Sequence, residues 1–173
     1  MMEALELDSR RRIYEYLQAN PGVHLRLIGK VLGMSTGMLS YHLGYMERNG
    51  ILKSEAEGHR KRYFLAAFAE AQRRIIGTLR QDVPRKIMVE ILRHRGRTFA
   101  ELQTSVGVSK STLSYHLKRM MQRDVVLRVR RERESLFHLK DPDGVVRILL
   151  DHRPTLWDES VGFAISQWSR LRT

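Results

Sequence analysis

The sequence repeats itself at a spacing of 74 residues. Sliding the chain by that distance superposes Asp8 to Leu65 on Asp82 to Leu139 without a gap. The densest match pairs Leu39-Ser40-Tyr41-His42-Leu43 with Leu113-Ser114-Tyr115-His116-Leu117. Self-similarity at a fixed period indicates that one structural unit occurs more than once. We therefore predict two copies of one small domain.

Each copy has the pattern of three helices followed by a β-hairpin. In the first copy, apolar residues recur at helical spacing in residues 9–19 and 25–32, and Gly33 is typical of a helix exit. Ser35 is a typical N-cap of the next helix, whose predicted buried face is Leu39, Leu43 and Met46. Period-two alternation then predicts hairpins at 51–65 and, in the second copy, at 125–139. Two short helices joined by a Gly-containing turn form a helix-turn-helix, and the added hairpin makes it a winged helix.

Two segments lie outside the repeat. Residues 66–81 lack proline and carry one apolar stripe, which predicts a linker helix. Residues 141–173 begin with Asp141-Pro142-Asp143, a typical helix start, and continue with two apolar helical stretches. The predicted fold class is mainly α, an α+β winged helix in tandem. Its parts are a first winged helix-turn-helix domain (1–65), a linker helix (66–81), a second such domain (82–140) and a C-terminal helical segment (141–173).

The chain is strongly basic. It has 31 Lys and Arg against 19 Asp and Glu, a net charge of +12. Residues 1–70 hold 10 basic and 8 acidic residues, a net +2, whereas residues 71–173 hold 21 and 11, a net +10. Such a field attracts phosphate at long range without selecting a sequence. The composition therefore predicts a nucleic-acid partner, with most of the field in the second half.

The turn and third helix of each copy carry a family resemblance. Gly33-Met34-Ser35 followed by Leu39-Ser40 and His42-Leu43 resembles the recognition-helix signature of ArsR-like and MarR-like winged-helix transcriptional regulators. Val106-Gly107-Val108-Ser109 and its helix are similar. The tandem arrangement with a helical tail resembles a group of archaeal regulators. The resemblance implies that the third helix lies in the major groove of double-stranded DNA and that the wing contacts the backbone.

Helical periodicity gives the candidate DNA-binding residues. If Leu113, Leu117 and Met120 face the core, the other side of that helix points outward. The candidates of the second domain are Lys110, Ser111, Ser114, Tyr115, Lys118 and Arg119 on the helix and Arg128, Arg130, Arg131 and Arg133 on the wing. The equivalent residues of the first domain are Thr36, Ser40, Tyr41 and Tyr45 on the helix and Arg60, Lys61 and Arg62 on the wing.

The two candidate helices differ in charge. The outward face of the first has no charged residue before Glu47. We therefore hypothesise that the second domain provides most of the phosphate affinity, while the first reads a weaker half-site or contacts a protein. Lys and Arg can bind phosphate or guanine, and Ser and Tyr can bond a base edge or a phosphate oxygen.

The sequence lacks the signatures of an enzyme. There is no phosphate-binding Gly-rich loop, no paired-His zinc helix and no nucleophile elbow. The chain has no Cys, and His42 and His116 each stand alone in their helix. We therefore expect no catalysis, no metal and no cofactor. The sequence gives no indication of a small-molecule effector.

The expected function is regulation of transcription through double-stranded DNA. We expect a homodimer formed through the linker or the C-terminal helix, although two tandem domains can also cover two half-sites as a monomer. The alternatives are a sequence-tolerant chromosome-organising protein and a protein-interaction module of the transcription or replication machinery. No stretch approaches the ~20 apolar residues of a membrane span, and the start lacks the pattern of a secretory signal. We therefore expect a cytoplasmic, nucleoid-associated protein and no membrane partner.

Overall fold

The computed structural model describes residues 7–131, 134–152, 156 and 159–171. The chain divides into two compact units, residues 1–73 and 74–173. The boundary falls inside the helix that follows the first hairpin. Each unit contains one copy of the repeat.

The first unit contains a winged helix. Its elements are α1 (Asp8–Ala19), β1 (Val23–His24), α2 (Leu25–Leu32), α3 (Thr36–Arg48), β2 (Leu52–Glu57) and β3 (Arg60–Leu65). Gly33 ends α2 in the left-handed conformation at φ 67°, which a Cβ would strain. Ser35 accepts a hydrogen bond from the backbone N–H of Met38 and so begins α3, as predicted.

The second unit repeats this order and adds helices. The helix α4 (Glu70–Leu79) spans the unit boundary and is shorter than the predicted linker helix. It is followed by α5 (Asp82–His94), β4 (Arg97–Thr98), α6 (Phe99–Val106), α7 (Lys110–Gln122), β5 (Val126–Arg131), β6 (Glu134–Leu139), α8 (Pro142–Asp151) and α9 (Glu159–Leu171). Asp141 caps α8 by accepting from the Gly144 N–H, and Pro142 is its first residue.

Each wing belongs to a three-stranded antiparallel sheet. The strand orders are β1-β3-β2 and β4-β6-β5. The sequence predicted the hairpins but not the short third strands, in which Val23 pairs with Tyr63 and Arg97 with Phe137. A strand of two residues is too short to show a period of two, so this part of the prediction was incomplete.

The core of each domain lies between its helices and the inner face of its sheet. In the first domain Ile13 and Leu17 of α1 pack with Ile28 and with the predicted face of α3. That face consists of Leu39, Leu43 and Met46, each at most 1% exposed. In the second domain Leu113, Leu117 and Met120 are buried at the repeated positions. The outward sides of α3 and α7 are fixed by this burial.

The exits of α3 and α7 repeat each other in detail. Gly50 and Asp124 both have a left-handed backbone, at φ 67° and φ 60°. The N–H of Ile51 donates to the Met46 carbonyl, and the N–H of Val125 donates to that of Met120. The Asp124 carboxylate also accepts from the ammonium of Lys140. The repeat therefore extends to backbone geometry, with Asp replacing Gly at the second exit.

The final helix packs within its own unit. Helix α9 lies against α5. Leu156, Val161 and Ala164 are at most 1% exposed. The apolar side of the C-terminal segment is therefore used at least in part to cover the second domain.

Candidate nucleic-acid interface

The outward face of α7 is polar, basic and accessible. Lys110, Ser111, Ser114, Tyr115 and Lys118 are exposed. All five were predicted from periodicity, and the structure places them on the same side of one helix. Ser111 also contacts the capping hydroxyl of Ser109 at 3.0 Å. The helix thus presents two ammonium groups and several hydroxyl groups to solvent.

Arg119 is held beside Tyr115. Its Nη1 donates to the Tyr115 hydroxyl at 2.7 Å, and its guanidinium carbon lies 5.6 Å from the centre of that ring. Arg119 as a residue is half-buried, and these two contacts orient its guanidinium along the helix surface. A preorganised guanidinium loses little side-chain entropy when it binds a planar or bidentate acceptor.

The outward face of α3 is polar but uncharged. Thr36, Ser40 and Tyr41 are exposed, and Tyr41 has 60% of its surface accessible. Tyr45 is different because the guanidinium of Arg10 lies 3.6 Å from the centre of its ring. Tyr45 is half-buried and packs against the core. Three of the four predicted residues of this helix are therefore freely accessible.

The paired histidines lie behind these faces. The ring of His42 contacts Tyr41 edge-on at a centroid distance of 5.3 Å, and His116 contacts Tyr115 at 5.2 Å. Burial lowers the pKa of His42, with a further contribution from Arg10. Burial also lowers the pKa of His116, with a further contribution from Arg119. The described residues contain no cluster of three or more His, Asp or Glu side chains that could hold a metal ion.

The second wing carries exposed arginines on both faces of one strand. Arg128 and Arg130 lie on the face of β5 that begins with buried Val126, and Arg131 lies on the other face. All three guanidinium groups are exposed. The predicted contact Arg133 lies outside the described residues. The second wing therefore exposes at least three cations to solvent.

The first wing differs from its prediction at Arg62. Arg60 and Lys61 are exposed, but Arg62 is only 6% exposed. Its guanidinium bonds the Glu57 carboxylate at 2.6 Å and the Gly22 carbonyl at 2.8 Å. The prediction that Arg62 contacts DNA is corrected, because its donors are directed inward to the chain itself.

A cleft lies at the same place in each domain, between the start of the second helix and the returning strand of the wing. The first-domain cleft has a volume of about 410 Å³ and is lined by His24, Leu25, Arg26, His59, Arg60, Lys61 and Tyr63. The second-domain cleft is larger, about 580 Å³, and extends to Ser114 and Lys118 of α7 and to Arg128 of the wing. His24 and Arg26 were not predicted, since they precede or begin a helix that the resemblance does not place on DNA.

The two helix starts in these clefts are built differently. Thr98 accepts from the Glu101 N–H, and the Glu101 carboxylate accepts from the Thr98 N–H, which together form a capping box at α6. The backbone hydrogen bond from Thr98 is the main reason that the pKa of Glu101 is lowered. Helix α2 follows His24 without a side-chain cap. The first domain thus lacks the carboxylate that occupies this end of α6.

Comparison with known proteins agrees with this geometry. Residues 7–76 match a family model described as an N-terminal HTH domain. Residues 80–126 match a model described as a winged helix-turn-helix DNA-binding domain. The chain is therefore a tandem winged helix-turn-helix protein, as the repeat and the resemblance predicted.

A relative is found among archaeal proteins. The chain is 27% identical over 119 residues to a protein of Methanocaldococcus jannaschii that carries the name "Uncharacterized HTH-type transcriptional regulator". The match covers 69% of this chain and 30% of the relative. The chain thus spans about a third of the length of the relative. Separately, no described helix is long and apolar enough to cross a membrane.

Proposed function

We propose that the chain binds double-stranded DNA and regulates transcription. The strongest support is the combination of two basic surfaces in the second domain. These are the outward face of α7 and a wing with three exposed arginines. A helix of this size fits the major groove, and guanidinium groups on a wing are suited to the flanking phosphates. The domain families and the name of the archaeal relative point the same way.

The division of labour follows from the side chains. Lys110 and Lys118 would contact phosphate or guanine, and Ser114 would bond a base edge or a phosphate oxygen. Arg128, Arg130 and Arg131 would hold the backbone beside the groove. In the first domain Thr36, Ser40 and Tyr41 would face a groove with no charged residue on their helix before Glu47 and Arg48 at its end.

We further propose that the function is not enzymatic. Helix-turn-helix models match both parts of the chain, and the second of them is described as DNA-binding. On this proposal the protein acts at the nucleoid. A chromosome-organising function would suit the +12 charge equally, but it does not require the uncharged, hydroxyl-bearing face of α3.

The number of chains on DNA is a separate part of the proposal. A homodimer through α4 or α9 was expected from their apolar residues. Among the described residues, neither helix has an exposed large apolar side chain, and α9 packs against α5. We therefore favour a monomer whose two domains occupy two half-sites. Light scattering with and without duplex measures this, and a dimer in both states would restore the first expectation.

The test of function is recovery of genomic DNA. Purified protein is incubated with fragmented genomic DNA at near-physiological salt, and the bound fragments are sequenced. A protein with Lys110→Gln and Lys118→Gln serves as the binding-deficient comparison. Sharp enrichment at promoter sites supports regulation, because specific affinity then exceeds the non-specific background. Even coverage replaces regulation by chromosome organisation, and no recovery contradicts DNA binding altogether.

A further inference from the structure

We propose that the first-domain cleft binds a phosphate group. The phosphate belongs either to the DNA backbone or to a free phosphorylated compound, and the experiment below separates these sources. The first source rests on the proposed function, whereas the second does not. Three exposed cations line this cleft, and the equivalent positions of the second domain carry none.

Three cations from two elements line this cleft. Arg26 extends from the first turn of α2, and Arg60 and Lys61 extend from the start of β3. All three are exposed. None forms an ion pair within 4 Å with a carboxylate in the part of the chain that the structure describes. Unpaired cations that converge on a cavity favour an anion that can bond several of them together.

The carboxylate of Glu57 is already paired with residues beside the cleft. Glu57 Oε2 lies 2.6 Å from the guanidinium of Arg62 and 3.1 Å from His24 Nε2. His24 Nδ1 lies 3.0 Å from the Lys61 carbonyl. Glu57 therefore pairs with residues beside the cleft. It forms no ion pair with Arg26, Arg60 or Lys61.

The repeat shows that the winged helix itself does not require this charge. The positions equivalent to Arg26, Arg60 and Lys61 are Ala100, Glu134 and Ser135 in the second domain. The same fold therefore forms with a neutral, an acidic and a hydroxyl side chain there. The second helix start is also closed by the Thr98–Glu101 capping box, whereas α2 has no side-chain cap. The second cleft has its cations at other positions, Lys118 and Arg128, so the three cations at the α2 start and on β3 are particular to the first domain.

The size and shape of the cleft agree with a phosphate ligand. A cavity of about 410 Å³ holds a phosphate with part of the molecule attached to it. Arg26 and Arg60 can each bond two phosphate oxygens, and Lys61 adds a third charge. The uncharged face of α3 lies in the same domain. This domain is thus better equipped to hold phosphate than to read guanine.

The test uses two double variants of the full chain. Arg26→Gln with Lys61→Gln removes cleft cations. Lys30→Gln with Lys53→Gln removes the same charge from exposed positions of the first domain that do not line the cleft. Circular dichroism melting checks that both variants fold like the wild type. One probe is a labelled random-sequence duplex, titrated by fluorescence anisotropy at several salt concentrations. The other is inorganic pyrophosphate, titrated by calorimetry.

For a DNA phosphate, the cleft variant loses duplex affinity on the order of tenfold or more near physiological salt, and its log–log salt slope falls by about 2. The control variant changes far less. For a free phosphate compound, pyrophosphate binding is lost in the cleft variant and kept in the control, while duplex binding is equal in both. If the two variants are equal toward both probes, the proposal is wrong. Wild-type protein that binds pyrophosphate but no duplex would contradict the proposed function and leave the cleft supported.

Discussion

Two arginines of one strand have opposite roles, although they are only two residues apart. Arg60 and Arg62 lie on the same face of β3, but Arg62 reaches the Gly22 carbonyl and Glu57 while Arg60 is exposed. Periodicity cannot separate them. The difference arises from β1, because Gly22 and His24 bring an acceptor and a polar side chain beside Arg62. Since β1 was not predicted, the burial of Arg62 was not predicted either.

The first prediction concerns this pair of arginines. Arg62→Gln leaves Glu57 and the Gly22 carbonyl without their guanidinium partner, which costs about 3 kcal/mol of unfolding free energy for a nearly buried ion pair. Arg60→Gln changes stability by less than about 0.5 kcal/mol, because the side chain is exposed. Urea unfolding of both variants measures the difference. Equal stability of the two proteins would show that the buried contacts contribute nothing.

The second prediction concerns pH. Burial lowers the pKa of His42, so the folded state disfavours the protonated ring relative to the unfolded state. The unfolded chain therefore binds more protons below its own His pKa of about 6.5, and stability falls as the pH drops through that value. His42→Gln removes part of this dependence, whereas His59→Gln, at an exposed position, keeps it. Melting temperatures at pH 7.5 and 5.5 measure the effect. If His42→Gln loses as much stability between pH 7.5 and 5.5 as the wild type does, His42 makes no contribution and the prediction is wrong.

At the level of elements, the sequence predicted most helix and strand bounds to within one or two residues. Helix α2 was predicted at 25–32, where it lies, and the hairpins predicted at 51–65 and 125–139 contain β2 with β3 and β5 with β6. These elements are long enough to show a period and end at residues with special backbone geometry, such as Gly33. The linker helix was predicted too long, because an apolar stripe does not mark where capping stops a helix. The clefts were not predicted, since they depend on tertiary contact between α2 or α6 and the wing.

The third prediction concerns the helix start that distinguishes the two clefts. Thr98→Ala removes the hydroxyl that accepts from the Glu101 N–H and costs about 1 kcal/mol of stability in the second domain. Thr104→Ala, on the exposed side of the same helix, costs little because Ala has the higher helix propensity. Thermal unfolding of both variants provides the comparison. A larger loss at Thr104 than at Thr98 would refute the capping role.

At the level of the whole molecule, the two domains share a backbone but not a charge distribution. Most of the net charge lies in the second half, +10 against +2. The second domain has exposed cations on α7 and on its wing, which on the proposed function would contact bases and phosphates. In the first domain three cations line the cleft, and the outward face of α3 has no charged residue before Glu47. This arrangement favours different functions for the two domains. The second would recognise bases, and the first would bind the phosphate backbone.

The fourth prediction distinguishes base recognition by the second domain from phosphate binding by the first. Lys118→Gln with Arg119→Gln removes cations from the reading helix and lowers the ratio of operator to random-duplex affinity, by roughly tenfold or more for one lost base contact. Arg60→Gln with Lys61→Gln weakens both affinities by a similar factor and leaves the ratio unchanged, because a phosphate contact carries no sequence information. The sequence-based hypothesis adds that total affinity falls further in the first variant. Anisotropy titrations against the recovered operator and a scrambled duplex, at one salt concentration, measure all of these values. A ratio that falls only in the Arg60 and Lys61 variant would assign reading to the first domain and would require α3, with its Ser40 and Tyr41, to be the specific helix.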